Sequence, residues 1–162
     1  KLKETLPLFK NKDYQVLFVV GKNYLEQNKK LVLPSNVKLV SYVENLPGLM
    51  KSVDVMISRA GASTISEITA VGIPTIFIPS PYVTNNHQYK NAIDLVNRKA
   101  ALIIEEKDLT KEVLFKQIDR VLKNEKNYET LKNNVGKLSV KDSSGKIYEL
   151  LKDLILDDKR FF

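Results

Sequence analysis

The stretch from Ser58 to Gln88, "SRAGASTISEITAVGIPTIFIPSPYVTNNHQ", holds the pattern that decides the fold. A short apolar run, "DVMIS" (Asp54 to Ser58), stops at small residues. A helix-like segment follows, and "TIFIP" (Thr75 to Pro79) is a second apolar run that ends in a polar loop. Outward from there the same kind of run recurs as "QVLFVV" (Gln15 to Val20), "VKLVSY" (Val37 to Tyr42) and "ALII" (Ala101 to Ile104). These runs are continuous rather than alternating, the pattern of strands covered on both faces. Between them lie segments of helical spacing, the clearest starting near Thr64, Asn86 and Thr110. Strand alternating with helix predicts right-handed βαβ units in an α/β fold, a doubly wound parallel sheet. From about Thr110 the chain reads as a helical C-terminal tail with two apolar stripes. One is Leu114, Ile118, Val121 and Leu122; the other is Ile147, Leu150, Leu151, Leu154 and Ile155. "VKDSSGK" reads as a loop or a helix start.

The composition bounds the rest. With 162 residues, 43% of them hydrophobic, the chain is long enough for one domain with a sizeable core. No apolar run approaches a membrane span and no signal pattern opens the chain, which reads as soluble and cytoplasmic. There is no cysteine and only one histidine, so neither a disulfide framework nor a metal site is expected, and no cofactor is assigned. The net charge of +7 comes mostly from lysines scattered through segments such as "KNEKNYETLKNN". That spread points to a solvated surface with some attraction to anionic membrane, and nucleic acid is not an expected partner.

In open parallel sheets ligands sit beyond the carboxyl ends of the strands, so "RAGAS" and "PSPYVTNNHQ" should face one crevice. Thr64 to Glu67 fits a capping box, with Thr64 capping the helix and Glu67 returning to its backbone N–H. Equally, Glu67 can accept two hydrogen bonds from a vicinal diol. Gly61 supplies a positive φ, a plain turn, or a close approach of ligand to backbone. After it the helix starts with free N–H groups and a positive dipole end, an anion site for which phosphate is the natural ligand. Gly72-Ile73-Pro74 reads as a left-handed helix end. Thr84, Asn85 or Asn86 can cap the next helix, leaving His87 and Gln88 in its first turn. Those two side chains either read sugar hydroxyls or serve as capping and surface groups. Arg59 faces either a phosphate or an acidic neighbour.

Together, "SRAGASTISEITAVGIPTIFIPSPYVTNNHQYKNA" closely resembles the nucleotide-sugar half of the MurG family, bacterial transferases that add N-acetylglucosamine to a lipid-linked muramyl-pentapeptide. The likeness extends more loosely from about Val16 into the helical tail. It implies the Rossmann-like C-terminal domain of a metal-independent, two-domain glycosyltransferase B fold, with UDP-N-acetylglucosamine (UDP-GlcNAc) as donor. By the same resemblance Val43 meets the uracil, Gly61, Ala62, Ser63 and Thr64 approach the diphosphate, Glu67 binds the ribose, and His87 and Gln88 read the GlcNAc hydroxyls. Residues 1–162 are then one donor-binding domain, a fragment of a longer two-domain chain. The family's acceptor domain and its glycine-rich phosphate loop are not in this sequence. No catalytic residue is assigned here. The attacking base, the acceptor contacts and the main membrane-facing patch are expected from the missing domain, with the whole enzyme peripheral on the inner face of the cell membrane. Two other readings stay open: the donor subunit of a related UDP-sugar transferase with another lipid acceptor, and a non-enzymatic basic binding module.

Overall fold

The computed structural model describes residues 2–28 and 30–158. The five apolar runs become five short strands: β1 (Val16–Val19), β2 (Val37–Val40), β3 (Met56–Ser58), β4 (Thr75–Phe77) and β5 (Leu102–Ile103). Every pairing is parallel, with Val16 opposite Val37, Met56 opposite Thr75 and Ile76 opposite Leu102. The helices before, between and after them are α1 (Leu2–Thr5), α2 (Leu25–Asn28), α3 (Leu46–Met50), α4 (Ala62–Val71), α5 (His87–Asn97), α6 (Lys111–Leu122), α7 (Glu125–Lys137) and α8 (Ser143–Asp158).

Side-chain alternation along the strands divides the core in two. Ile76 and Ile78 point to a cluster with Leu6 and Phe9, which follow α1, and with Leu114, Ile118 and Val121 of α6. Phe77 points the other way, to Met50 of α3, Ile68 of α4, Ala92 and Leu95 of α5, and Val135 of α7. Helices therefore cover both faces, which is the doubly wound arrangement. β4 lies fully inside, with Thr75, Ile76 and Phe77 each 0% exposed.

The sheet is not continuous. β1 and β2 form one ladder, and β3, β4 and β5 form another. Among the described residues no hydrogen-bonded pairing joins β1 to β3, although side chains of both strands pack against the first cluster.

Local chemistry accounts for the helix ends. α6 starts next to Thr110 as expected, and Thr110 caps it, its hydroxyl accepting the Val113 N–H at 3.2 Å. Asn124 caps α7 in the same way through the Asn127 N–H at 3.0 Å. Gly72 ends α4 at φ +77°, and the N–H groups of Gly72 and Ile73 both reach the Ile68 carbonyl, at 2.9 and 3.4 Å. "VKDSSGK" is a helix start: the Asp142 carboxylate accepts the Gly145 N–H at 3.1 Å.

The first apolar stripe of the tail is buried in α6. The second lies along α8 but stays open, with Ile147, Leu150, Leu151, Leu154 and Ile155 between 54% and 67% exposed. The stripe is present as spaced, yet among the described residues no element covers it.

One polar bond ties α6 to the segment before β1: the Tyr14 hydroxyl donates to the Asp119 carboxylate. Burial, then this bond and the charges of Asp119 and Asp13, push Tyr14 up to about 12. The same bond, with help from Lys123, holds Asp119 below the ordinary aspartate value.

Candidate functional site: the strand-end crevice after β3 and β4

The loops after β3 and β4 meet because neighbouring parallel strands end together. The Ile78 N–H bonds the Ser58 carbonyl at 2.8 Å, continuing the ladder past the last paired residues. Two side chains then cross between the loops. Arg59 donates to the Ile78 carbonyl at 2.9 Å, and Asn91 of α5 donates to the Ala60 carbonyl at 3.2 Å. The start of α4 and the start of α5 are thereby held beside one crevice.

α4 begins at Ala62, with Gly61 at its N-cap and no side chain capping it. The expected capping box is overturned, since Thr64 is already the third helical residue and Glu67 the sixth. Ile65 N–H is satisfied by the Gly61 carbonyl at 2.9 Å, so the N–H groups at Ala62, Ser63 and Thr64 are the ones open to a ligand. A helix N-terminus of this kind presents donors and a partial positive charge to an anion.

Gly61 has φ −70°, which corrects the expectation of a positive φ. A Cβ there would meet only the Thr64 hydroxyl, at 3.7 Å. Neither conformation nor packing in the domain demands glycine at this position.

Glu67 is exposed, and among the described residues its carboxylate has no hydrogen-bond or ion-pair partner. It lies three and four residues after Thr64 and Ser63, on the same helical face. Five residues of helical rise put it about 7.5 Å along the axis from Ala62. The face thus offers anion donors at one end and a free carboxylate further along.

On the second loop, Asn85 and Asn86 hold φ of 54° and 51°, and the Asn86 side chain makes no cap bond. The tandem asparagines serve the tight left-handed turn, which Asn tolerates better than most residues, rather than the capping expected of them. His87 Nδ1 lies 2.9 Å from the Thr84 carbonyl. A carbonyl only accepts, so Nδ1 carries a proton, and in the neutral ring Nε2 is left as an acceptor in solvent. Gln88 is half-buried, and its Oε1 accepts the Ser80 N–H at 2.9 Å. Its carbonyl is spent on the loop while its NH2 remains a donor.

Arg59 is resolved in favour of an acidic partner, Glu106, at 2.6 Å. Val43 is half-buried on the loop after β2, at the carboxyl end of the other ladder, and among the described residues no hydrogen bond or strand pairing ties it to the crevice. Asn91 was not foreseen: an Asn one turn after His87 looks like any polar helix residue, and only the fold shows that it reaches Ala60. Neither of two cavities, of about 340 and 1790 Å3, is lined by Ala62, Glu67 or His87. The crevice is an open face.

A family model described as the glycosyltransferase family 28 C-terminal domain matches residues 1–147. The chain belongs to the glycosyltransferase family 28 C-terminal domains. Among curated relatives of this family 28 domain is a UDP-N-acetylglucosamine--N-acetylmuramyl-(pentapeptide) pyrophosphoryl-undecaprenol N-acetylglucosamine transferase from Lactiplantibacillus plantarum. The two are 42% identical over 154 residues, covering 93% of this chain and 42% of the relative. A Bacillus thuringiensis transferase of the same description is 40% identical over 156 residues, covering 94% of this chain and 43% of its own. This family 28 domain therefore spans about two fifths of the length of the relatives it matches. Among solved structures, Acinetobacter baumannii MurG superposes with a TM-score of 0.78 at 25% identity, covering 94% of this chain and 46% of that one. Glycosyltransferase VinC, in complex with dTDP, superposes at 0.71 with 22% identity, a likeness of fold alone.

Proposed function

We propose that this family 28 domain binds UDP-GlcNAc as the donor half of a transferase that glycosylates lipid-linked muramyl-pentapeptide in peptidoglycan synthesis. The observation that carries the reading is the juxtaposition in the crevice. The uncapped start of α4 faces the diphosphate, Glu67 accepts from the ribose diol, and His87 and Gln88 approach from the adjoining loop to read the sugar. Their chemistry fits: His87 Nε2 accepts from a hydroxyl, and the Gln88 NH2 donates to one. Gly61 keeps the entry clear of side chain, and Val43 meets the uracil at the end of the neighbouring ladder. The names of the relatives support the donor and the acceptor.

In the reaction, the acceptor's 4-hydroxyl oxygen attacks the anomeric carbon as the bond from that carbon to the UDP oxygen breaks. The configuration inverts, the hydroxyl proton passes to a base outside residues 1–162, and the electron pair leaves with UDP. Negative charge grows on the diphosphate as that bond lengthens, next to the N–H groups of Ala62, Ser63 and Thr64, where fixed dipoles stabilise it without reorganising. The acceptor and the inner membrane surface are met through the rest of the longer protein. The net charge of +7 favours an anionic surface, and among the described residues no helix is long and apolar enough to cross a membrane.

The test is calorimetric titration of the full natural chain with UDP-GlcNAc, UDP-glucose, GDP and dTDP, together with a lipid-acceptor turnover assay. UDP-GlcNAc should bind tightest and be consumed. Equal affinity for the four ligands, or turnover with another sugar nucleotide alone, would refute the reading.

A further inference from the structure

A pocket of about 340 Å3 opens between the loop after β4 and the loop after β5, at the carboxyl ends of two paired strands. Pro79, Tyr82 and Tyr89 supply its apolar wall. Glu105 and Glu106 bring two carboxylates to it, in a chain whose net charge is +7.

The walls are braced. Arg59 donates to the Ile78 carbonyl at 2.9 Å and pairs with Glu106 at 2.6 Å, tying one loop to the other. Gln88 Oε1 accepts the Ser80 N–H at 2.9 Å, and the Ser80 hydroxyl accepts the Tyr82 N–H at 3.4 Å, which knits the first loop to the start of α5. Tyr82 is nevertheless 86% exposed, and among the described residues its ring meets neither another ring nor a cation. Glu105 pairs with Lys107 at 3.1 Å in an exposed contact, and a carboxylate has lone pairs for further donors. On the rim, the Asn86 side chain makes no cap bond and adds an amide.

An aromatic face beside carboxylates and an amide suits a neutral sugar ring. The C–H face of the ring lies on the tyrosine, while hydroxyl and acetamido N–H groups donate to the carboxylates. A phosphate would set its charge against Glu105 and Glu106. A cation would find that charge already compensated by Arg59 and Lys107.

The order of the loops says which sugar. In the donor-binding reading, on which this inference rests, the diphosphate lies at the start of α4, after β3, and the donor sugar at the start of α5, after β4. Inverting displacement needs the attacking hydroxyl on the side of the anomeric carbon opposite the departing diphosphate. The line from β3 through β4 continues to β5, where the pocket opens, and Asn86 on its rim precedes His87 directly in the chain. We propose that this pocket seats the N-acetylmuramyl ring of the acceptor, with Tyr82 as its platform and Glu105 and Glu106 accepting from its polar groups. The 4-hydroxyl then faces the donor, and the acceptor's own diphosphate points away from the carboxylates. This domain supplies one wall of the acceptor subsite, and the rest of the longer protein the other.

Two measurements on the full natural chain test it. The first is saturation-transfer-difference NMR with soluble N-acetylmuramyl dipeptide as the probe. Its ring protons should receive saturation from wild type, most of it lost with Tyr82→Ala and retained with Tyr82→Phe, which keeps the aromatic face. The second is turnover of UDP-GlcNAc with a lipid-linked muramyl-pentapeptide acceptor. Tyr82→Ala and Glu105→Gln should each raise the acceptor KM about tenfold and move the UDP-GlcNAc KM by less than about twofold. Undiminished saturation with Tyr82→Ala, or none with wild type, would overturn the proposal. So would an acceptor KM that stays in place, or a donor KM that rises equally. If wild type neither binds nor consumes UDP-GlcNAc, the donor reading fails, and the dipeptide measurement still decides the pocket.

Discussion

Glu67→Ala separates binding from architecture more cleanly than any other single change in the crevice. Were Thr64 the cap of α4, removing Glu67 would break a reciprocal capping bond and cost about 1 kcal/mol of stability. The structure removes that term, because α4 begins at Ala62 and Glu67 sits in its exposed interior without a partner among the described residues. What remains is intrinsic helix propensity, where Ala exceeds Glu by a few tenths of a kcal/mol. For a domain of this size that amounts to a melting temperature unchanged or higher by about 1 °C. Binding should respond in the opposite sense. Hydrogen bonds to a charged acceptor contribute ~1.5–3 kcal/mol, so losing those from a ribose diol lowers UDP affinity about ten- to a hundredfold. The assay is a double cycle in the full-length protein: wild type and Glu67→Ala, each titrated with UDP and 2′-deoxy-UDP, with melts recorded without ligand. Wild type should prefer UDP, and the variant should lose most of that preference. A preference that survives intact, or a fall in melting temperature equivalent to a capping loss, would refute the reasoning.

Gly61→Ala should shift stability by no more than about 1 kcal/mol, because the φ of −70° suits alanine while the N-cap position favours glycine, and should weaken UDP binding; calorimetry and melts read both. Gly72→Ala is the contrast, costing about 1–2 kcal/mol at φ +77° and leaving the ratio of UDP to UDP-GlcNAc affinity unmoved. Gln88→Ala frees the Ser80 N–H from its 2.9 Å bond, at about 1 kcal/mol of loop stability, and should weaken UDP-GlcNAc more than UDP; equal losses would deny it a sugar contact. The Tyr14–Asp119 bond predicts two pH limits. Asp119 lies below its ordinary value when folded, so its contribution is full above about pH 4 and is lost as pH falls through that lowered value. Tyr14 is raised to about 12, so its contribution is full below about pH 10 and is lost as pH rises toward 12. Urea midpoints of wild type and Tyr14→Phe should therefore converge between pH 10 and 12, and a constant gap across that range would count against the bond.

The strands were legible because burial on both faces writes itself as an uninterrupted apolar run, and all five runs pair in parallel. Gly72 followed by Pro was legible for a similar reason: few residues accept φ +77°, and a proline cannot continue the helix. The start of α4 was not. Thr64 and Glu67 satisfy a capping pattern whose spacing also occurs by chance inside a helix, and the true cap, Gly61, offers no side chain to announce itself. The roles of Asn85 and Asn86 were hidden by the same ambiguity, because Asn favours both helix caps and left-handed turns. Asn91 and Arg59 were out of reach for a different reason. Their partners, Ala60, Ile78 and Glu106, are backbone carbonyls and a carboxylate brought near only by the register of β3, β4 and the loop after β5.

The unpaired edges of β1 and β3 show how far an apolar run carries. The run in "QVLFVV" states that a strand is covered on both faces, but says nothing of which strands flank it in the sheet. Faces are specified by side chains, whereas edges are specified by N–H and C=O groups that every residue shares. The shortfall becomes visible only when sequence and structure are set together. β4 and β1 are comparably apolar, yet one is fully buried and the other is not. The difference lies in the number of ladder neighbours, since β4 has two and β1 has one. A second ladder neighbour brings side chains over both faces of a strand and satisfies its outward amides in the same step. The exposed apolar surface and the unused hydrogen bonds of β1 are thus one deficit with one cause, its single ladder neighbour.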